Sequence, residues 1–275
     1  MNAAAISVPR PTRISEHVYW LPPAPPDRPS LCAVVGGRRT LMLDGGSSRP
    51  HARELLDGLA AEGAAAPFAV AYTHSHWDHV FGGVEAGAPI VAHELTARRL
   101  LELAERDWSD EALDARVASG EASPAHAAHV KEELPAPRHV EVAPADVVFR
   151  DRLGLDLGGV CVTIHHVGGD HCDESSVMYV EPDRLLFLGD AICASPYGAL
   201  TAAQAIALAD RLLAFPAELY VEGHHPAVES RADFANLVEK LRTAERAVRE
   251  GIEIERPDED TAEFLEAFRA GVAHR

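Results

Sequence analysis

The strongest constraint in the sequence is residues 73–79, Thr-His-Ser-His-Trp-Asp-His, which place three histidines and one aspartate within six positions. The apolar run Phe-Ala-Val-Ala-Tyr just before them predicts a buried strand that ends where the polar residues begin. Alternate side chains of an extended segment point the same way, so His74 and His76 can bind one metal ion. If the chain then turns, Asp78 and His79 approach a second position beside the first.

This cluster differs from an isolated histidine, which in a chain with 15 histidines is usually a surface residue or a hydrogen-bonded core residue. Four ionisable groups packed together repel or desolvate one another unless a cation lies between them. Neutral imidazole and carboxylate are ligands of Zn, Fe and Mn. Gly82 and Gly83, just behind the cluster, suit a tight turn whose backbone passes close to another segment. The sequence therefore predicts a metal centre at the end of a buried strand.

The composition of the 275-residue chain indicates a soluble globular protein, since 47% of its residues are hydrophobic and 25% are charged. No apolar run of about 18 residues is present, so a membrane span is not expected. The first 14 residues lack a sustained apolar segment, which predicts a cytoplasmic protein with free thiols. The net charge of -18 would repel a phosphate backbone, so the expected partner is a small molecule and not a nucleic acid. The oligomeric state stays open.

Periodicity predicts a single domain, residues 1–275, in which strands and helices recur in two similar blocks without a linker. Two mixed β-sheets packed together with helices outside are expected, which is the α/β (α+β) class. Loops at strand ends on a rigid sheet are the usual place for a functional site. Further side chains with metal-binding groups stand where other predicted strands end: Asp44, His171, Asp190 and His224.

Two segments outside the strands are expected to shape a substrate site. The proline-rich residues 22–29 predict a stiff hairpin loop. Residues 94–135 predict a helical insertion that covers the site and sets its substrate preference. Within this insertion, His126 and His129 are interpreted as part of a solvated helix face. The next predicted strands follow closely: residues 140–142, 147–150 and 160–166.

The sequence resembles the metallo-β-lactamase-fold hydrolase superfamily over roughly residues 14–250, through five motifs in the order that the family shows. The family pattern His-x-His-x-Asp-His is intact at residues 74–79. The strand-Asp-Gly of the family's early hairpin matches Asp44 and Gly45, which follow Leu-Met-Leu. The resemblance implies a four-layer αβ/βα sandwich of two mixed β-sheets flanked by helices, with a dinuclear metal site between the sheets.

The other three motifs match with small departures. The family's Gly-His-x-x-x-Ser corresponds to His171 and Ser175, although Asp170 replaces the glycine. The family's bridging aspartate corresponds to Asp190, at the end of the apolar run Leu-Phe-Leu-Gly. The last metal-binding histidine corresponds to His224, which a glycine precedes as in the family.

Carried over to this chain, the resemblance implies seven metal ligands. Three residues would bind the first divalent ion, three would bind the second, and one would bridge both: His74, His76 and His171; Asp78, His79 and His224; and Asp190. Asp44 would accept a hydrogen bond from a ligand histidine and fix its tautomer. His225 is an alternative to His224, but the preceding glycine favours His224. Tyr197 is a candidate hydrogen-bond donor to the substrate carbonyl oxygen, as a tyrosine near the bridging aspartate is in lactonases of the superfamily.

The implied reaction is hydrolysis of a small carboxylic ester, lactone or thioester by a metal-bound hydroxide. Two divalent ions ~3.5–4 Å apart lower the pKa of a shared water, and Zn is the expected metal, with Fe or Mn also compatible. Asp190 would hold the nucleophile, and Asp78 would both bind metal and accept a proton. Three alternatives stay open: a phosphodiesterase for small phosphodiesters, a mononuclear-iron sulfur dioxygenase, and a non-catalytic metal-binding protein. A complete ligand set disfavours the last two.

Overall fold

The computed structural model of the protein describes residues 10–195 and 199–273. Within these residues the strands form two mixed sheets. The first sheet has seven strands in chain order: β1 Thr12–Arg13, β2 Val18–Leu21, β3 Leu31–Val35, β4 Thr40–Leu43, β5 Pro67–Ala71, β6 Ile90–His93 and β7 Val147–Phe149. The second has six strands, in chain order β8 Arg152–Asp156, β9 Cys161–His166, β10 Ser176–Glu181, β11 Leu185–Gly189, β12 Leu219–Glu222 and β13 Glu229–Ser230.

Both sheets combine antiparallel hairpins with parallel pairs. Strands β1 to β4 are antiparallel neighbours, whereas β4 to β7 pair in parallel. In the second sheet β8 to β11 are antiparallel, β11 and β12 are parallel, and β13 pairs antiparallel with β12. The residues between β2 and β3 form the hairpin loop expected from the proline-rich segment. Because parallel strands end at the same edge of a sheet, the loops after β4 and β5 lie together, as do those after β11 and β12.

Helices cover the outer face of each sheet. Their bounds are α1 Arg49–Ala61, α2 Trp77–Val80, α3 Glu94–Glu105, α4 Asp110–Ser119, α5 Pro124–Glu133, α6 Ala202–Leu213, α7 Arg231–Glu250 and α8 Glu259–Ala273. Serine side chains cap α1, α4, α5 and α7, and the cap of α7 is a reciprocal capping box between Ser230 and Asp233. Among the described residues, no helix is both long and apolar enough to cross a membrane.

Three hydrophobic layers hold these elements together. The layer between the sheets is fully buried and includes Val34 and Leu41 of the first sheet and Ile164 and Phe187 of the second. A second layer packs the first sheet against α1 and the helices α3 to α5, and a third packs the second sheet against α6 to α8. The four-layer αβ/βα sandwich predicted from the sequence is thereby confirmed.

One predicted strand is absent, and one observed strand was not predicted. Residues 140–142 are not a strand; the side chains of Val140 and Val142 instead pack from a loop onto the first sheet's helical layer. The strand Arg152–Asp156 was not predicted, because it is an edge strand whose residues alternate between exposed and half-buried. Few apolar side chains mark such a strand in a sequence, since one of its faces and one of its edges meet solvent.

Asp183, in the loop between β10 and β11, binds the segment between β1 and β2. The Asp183 carboxylate accepts hydrogen bonds from the Ser15 hydroxyl and from the backbone N–H of His17, the latter at 2.7 Å, and lies 2.6 Å from His17 Nδ1. Burial acts to raise the pKa of the Asp183 carboxyl, but these hydrogen bonds hold it below its ordinary value. The bonds therefore stabilise the folded state with Asp183 ionised.

Replacing Asp183 with asparagine is expected to destabilise the protein near pH 6 and to have a smaller effect in acid. A carboxyl with a lower pKa in the folded state stabilises the fold above its unfolded pKa of about 3.9. That stabilisation disappears as the pH falls through the folded pKa. Urea unfolding midpoints of the two proteins between pH 6 and pH 3 measure the difference, with Asp57→Asn at an exposed position of α1 as the control. A difference that does not shrink below about pH 4 would contradict this account.

Candidate metal centre

The predicted ligands meet where loops of both sheets face one another. Asp44 follows β4, and residues 73–79 follow β5, which is parallel to β4. Asp190 and His224 follow β11 and β12, the parallel pair of the second sheet. His171 comes from the loop between β9 and β10. The chain thus brings together side chains that are far apart in the sequence, at the carboxyl ends of strands held by the buried core.

One group of ligand atoms comes from His74, His76 and His171, which lie within 4.8 Å of one another. His171 Nε2 is 2.9 Å from His76 Nδ1, and the buried His74 Nε2 has no hydrogen-bond partner. Two nitrogen ligands of a tetrahedral zinc ion are about 3.3 Å apart, since each Zn–N bond is about 2.0–2.1 Å. The three imidazoles therefore fit a single metal ion.

The second group consists of Asp78, His79, Asp190 and His224, again within 4.8 Å. His79 Nε2 lies 3.4 Å from Asp78 Oδ2 and 3.2 Å from Asp190 Oδ2. His224 Nε2 lies 3.2 Å from Asp78 Oδ2. A set of two imidazoles and two carboxylates suits Zn, Fe or Mn.

The Asp190 carboxylate lies between the two groups. Its Oδ2 atom is near four imidazole nitrogens, at 3.9 Å from His74, 3.2 Å from His79, 3.5 Å from His171 and 3.4 Å from His224. Its Oδ1 atom is buried without a hydrogen-bond partner. A Cβ atom at Gly223 would come within 2.0 Å of this Oδ1, which explains why a glycine precedes His224.

The Asp44 carboxylate contacts one of these imidazoles, that of His79. Its Oδ2 atom is 2.8 Å from His79 Nδ1. The backbone N–H of Thr73 donates to Asp44 Oδ1 (2.6 Å), and the Thr73 hydroxyl donates to Asp44 Oδ2 (2.8 Å). Burial raises the pKa of the Asp44 carboxyl, and His79 acts against this rise. Because Nδ1 of His79 faces Asp44, Nε2 is the ring nitrogen that faces the site and is left for a metal ion.

Two further contacts fix the remaining ligand loops. The backbone N–H of Ser75, between His74 and His76, donates to Oε1 of the buried Glu174 (2.9 Å). His171 Nδ1 is 3.0 Å from the carbonyl oxygen of Ala194, so it donates there and leaves Nε2 for a ligand. Glu174 could not be recognised from the sequence, because no motif distinguishes a buried glutamate in a loop from a solvated one.

Burial sets the protonation of the first group. It lowers the pKa of His74 well below its ordinary value and that of His76 to about 4. Neighbouring imidazoles act in the same direction. Both rings are therefore neutral near pH 7, which is the form that binds a metal.

In the second group, opposite charges outweigh burial. Burial disfavours the charge on each side chain, but the carboxylates of Asp190 and Asp78 raise the pKa of His79 well above its ordinary value and that of His224 to about 10. The two imidazoliums in turn hold the pKa values of Asp78 and Asp190 well below the ordinary range. A protonated imidazole has no free lone pair, so a metal ion at this position displaces these protons.

A cleft of about 710 Å³ leads to the site, and the helices α3 to α5 form much of its wall. Trp108, Arg116 and His126 line it together with the metal-binding candidates His76 and Asp78. The earlier interpretation of His126 as a solvated residue was wrong, because its ring packs 6.2 Å from that of Trp77 and faces the cleft. The inserted segment therefore forms part of the cavity that a substrate would enter.

The proline-rich loop contributes Asp27 to the same cleft. Its Oδ1 atom is 3.6 Å from His224 Nδ1, and its Oδ2 atom is 3.0 Å from His129 Nδ1. His129 is therefore paired with a carboxylate at a half-exposed position of α5. Asp27 therefore connects the proline-rich hairpin loop to α5 of the insertion, through His129, and to the second ligand group, through His224.

The alternative ligand His225 and the candidate substrate donor Tyr197 were also predicted from the sequence. His225 is exposed and lies 3.2 Å from the carbonyl oxygen of Ala227, whereas His224 faces Asp78 and Asp190. Tyr197, the candidate donor to the substrate, lies outside the described residues. The donor role of Tyr197 therefore stays a prediction.

The sandwich fold and the facing groups of histidines and aspartates define the chain as a metal-dependent hydrolase in class. A family model described as "Metallo-beta-lactamase superfamily" matches residues 25–247, which is most of the chain. The protein therefore belongs to the metallo-beta-lactamase superfamily, and the resemblance seen in the sequence motifs is confirmed. No match was found among curated proteins.

Solved structures share the fold at low sequence identity. A metallo-beta-lactamase from Pontibacter korlensis is 19% identical, with a TM-score of 0.60 over 84% of this chain and 97% of that chain. A metallo-beta-lactamase family protein from Thermus thermophilus is 20% identical, with a TM-score of 0.58 over 94% and 92% of the two chains. A double mutant of the sec-alkyl sulfatase PisA1 is 16% identical, with a TM-score of 0.59 over 88% and 43%. At these identities the likeness concerns the fold alone.

Proposed function

We propose that this protein is a single-domain, dinuclear hydrolase that cleaves a small carboxylic ester, lactone or thioester, with zinc as its metal. The first ion is assigned to His74, His76 and His171, and the second to Asp78, His79 and His224, with Asp190 shared between them. The observation that carries this proposal is the position of Asp190 Oδ2, within 3.9 Å of imidazoles from both groups. A carboxylate oxygen in this position suits a bridge between two ions.

The metal ions and the protein side chains would contribute different steps of the hydrolysis. When bound, two divalent ions lower the pKa of a water molecule towards neutrality and polarise the scissile carbonyl. The Asp78 carboxylate borders the cleft and can accept the proton that the attacking water loses. Trp77 and Trp108 line the cleft with apolar rings, which reduces the access of bulk water to the reacting groups.

Metal analysis together with a substrate panel tests this function. Protein purified without added metal is expected to contain about two Zn, Fe or Mn ions per chain by elemental analysis. It is expected to hydrolyse a lactone or a thioester, and to lose that activity with a chelator and regain it with the metal. An aryl phosphodiester serves as the competing substrate class. One iron or no metal, with no hydrolysis of any substrate, would overturn the proposal, and oxygen uptake with one iron would support a sulfur dioxygenase.

Alanine substitutions at the adjacent residues His224 and His225 identify which histidine binds the second ion. His224→Ala is expected to reduce the metal content from about two ions to about one and to abolish turnover, because His224 Nε2 faces Asp78 and Asp190. His225→Ala, at the exposed neighbouring position, is expected to keep both ions. Elemental analysis of the two purified variants measures the difference. Loss of the second ion in His225→Ala alone would show that the neighbouring histidine is the ligand.

A further inference from the structure

One of the three arginines that line the main cleft has no carboxylate partner. These residues are Arg99, Arg106 and Arg116. Arg99 is paired with Asp173 (2.8 Å), and Arg106 lies 3.4 Å from Glu121. Among the described residues, no ion pair involves Arg116, which is half-buried on α4. The cleft therefore contains one cationic side chain whose charge the protein does not pair.

The side chain of Arg116 is held against the ring of Trp108. Its guanidinium carbon lies 5.2 Å from the centre of that ring, which is within the range of a cation–π contact. Its Nη2 donates to the carbonyl oxygen of Asp107 (2.9 Å). Trp108 is itself buried and packs edge-on against Phe81, with ring centres 4.8 Å apart. These contacts fix the position of the guanidinium without neutralising its charge.

The surroundings of Arg116 leave this charge only partly compensated. Burial lowers the pKa of its guanidinium, and the positive charge of Arg106 acts in the same direction. The guanidinium carbon of Arg106 lies 6.0 Å from the centre of the same Trp108 ring. The carboxylates of Glu121 and Asp107 act in the opposite direction, but neither forms an ion pair with Arg116. An anion bound beside this guanidinium would therefore stabilise it.

Two further groups at this end of the cleft favour an anion. Ala122 and Ser123 line it at the start of α5, where the helix dipole favours negative charge. His126 lines it one turn later, and burial lowers the pKa of its imidazole, so the ring is neutral near pH 7 and carries one N–H donor. In the described part of the chain, neither ring nitrogen of His126 has a hydrogen-bond partner.

His126 lies between Arg116 and the metal centre. Its ring is 6.2 Å from that of Trp77, the residue between the metal-binding candidates His76 and Asp78. The carboxylate of Asp78 raises the pKa of His126, whereas the guanidinium of Arg116 lowers it. The cleft volume of about 710 Å³ is within the range of small-molecule sites, about 300–1,000 Å³. One small molecule can therefore contact both the metal centre and Arg116.

We propose that the substrate carries a free carboxylate, which Arg116 and the N–H of His126 bind while the ester, lactone or thioester lies at the metal centre. This inference rests on the proposed hydrolase function and narrows its substrate class to acyl compounds with a carboxylate remote from the scissile bond. One guanidinium without an ion pair matches a single negative charge, and its planar N–H groups suit the two oxygens of a carboxylate. Leu103 and Trp108, which also line the cleft, contact the methylene groups between the two ends.

Binding to the zinc-loaded enzyme tests this site independently of turnover. Mercaptoalkanoic acids with four to seven methylene groups are compared with their primary amides, since each pair shares a thiol that binds zinc and differs in charge at the other end. By calorimetry, the acid is expected to bind at least about tenfold more tightly at one length or more, and Arg116→Gln is expected to abolish this preference. Arg98→Gln, at an exposed position of α3 paired with Glu94, is the control and is expected to keep it. Equal binding of acid and amide at every length would overturn the proposal.

Hydrolysis of matched esters tests the link to the reaction. The mono-4-nitrophenyl esters of adipate, pimelate and suberate are compared with esters in which a primary amide replaces the free carboxylate. The kcat/KM ratio of acid to amide is expected to reach at least about ten for the wild type and to approach one for Arg116→Gln. Preferential binding of the thiol acids without hydrolysis of any ester would exclude the hydrolase function but not the site. Equal hydrolysis of acid and amide at every length would exclude the site but not the function.

Two further comparisons separate recognition from folding and from binding of another anion. Arg116→Lys keeps the charge but not the planar fork, so it is expected to melt near the wild-type temperature and to lose at least about threefold of the preference for the acid. This variant tests the site even if Arg116→Gln does not fold, and an unchanged preference in Arg116→Lys would overturn the proposal. Tighter binding of 6-mercaptohexyl phosphate than of the thiol acids, lost in Arg116→Lys, would assign the site to a phosphate and overturn the carboxylate assignment.

Discussion

Replacing Asp190 with alanine is expected to lower kcat/KM by about a thousandfold or more and to release at least one metal ion per chain. The Asp190 Oδ2 atom faces imidazoles of both ligand groups, at 3.2 Å from His79 and 3.5 Å from His171. Without this carboxylate, no anion lies between the two groups of candidate ligands. Metal ions contribute several kcal/mol of transition-state stabilisation, and each 1.36 kcal/mol corresponds to a factor of ten in rate.

Two further variants separate charge from shape in this experiment. Asp190→Asn retains the size of the side chain and removes its charge, so a loss similar to that of Asp190→Ala would identify the charge as the cause. Asp156→Ala removes an exposed carboxylate of β8, paired with Arg38, and is expected to retain metal and activity. Steady-state kinetics and elemental analysis on the same preparations provide both readouts. An Asp190→Ala protein with two bound ions and wild-type turnover would contradict the bridging assignment.

The candidate ligands could be located in the sequence because each follows a segment whose local structure the sequence indicates. His74 and His76 occupy alternate positions directly after a strand that the apolar residues define. Asp190 and His224 likewise follow short apolar runs that form β11 and β12. Whether the loops of the two sheets meet is a long-range property, and for this step the resemblance to a known family was needed.

The surroundings of the ligands could not be predicted in the same way. His126 lies on α5, whose buried residues are Ala127 and Val130, and such a weakly amphipathic helix does not reveal which face docks. Its contact with Trp77 depends on packing between segments 49 residues apart in the sequence. The approach of Glu229 to Glu222 depends in the same way on the pairing of β13 with β12. These contacts follow from tertiary packing, which single-segment patterns do not encode.

Replacing Asp44 with asparagine is expected to weaken binding of the second metal ion about 10- to 100-fold without unfolding the protein. Asp44 has a backbone φ of 59°, a left-handed conformation that asparagine tolerates nearly as well as aspartate. The Asn Oδ1 atom can still accept the Thr73 N–H, but the amide NH₂ cannot accept a hydrogen bond from His79 Nδ1. His79 therefore loses the partner that directs its Nε2 lone pair into the site.

Competition with a chromophoric chelator measures the affinity for the second ion, and activity at saturating metal distinguishes positioning from direct ligation. Excess zinc is expected to restore turnover in Asp44→Asn but not in Asp190→Ala, because Asp44 contacts His79 and not the ion. Asp44→Ala should in addition lose about 1–3 kcal/mol of stability, since it leaves the buried Thr73 N–H without an acceptor. If Asp44→Asn bound both ions as tightly as the wild type, the role of Asp44 would be confined to holding the Thr73 backbone. If excess zinc did not restore its turnover, Asp44 would have to act on the reaction by a route other than the orientation of His79.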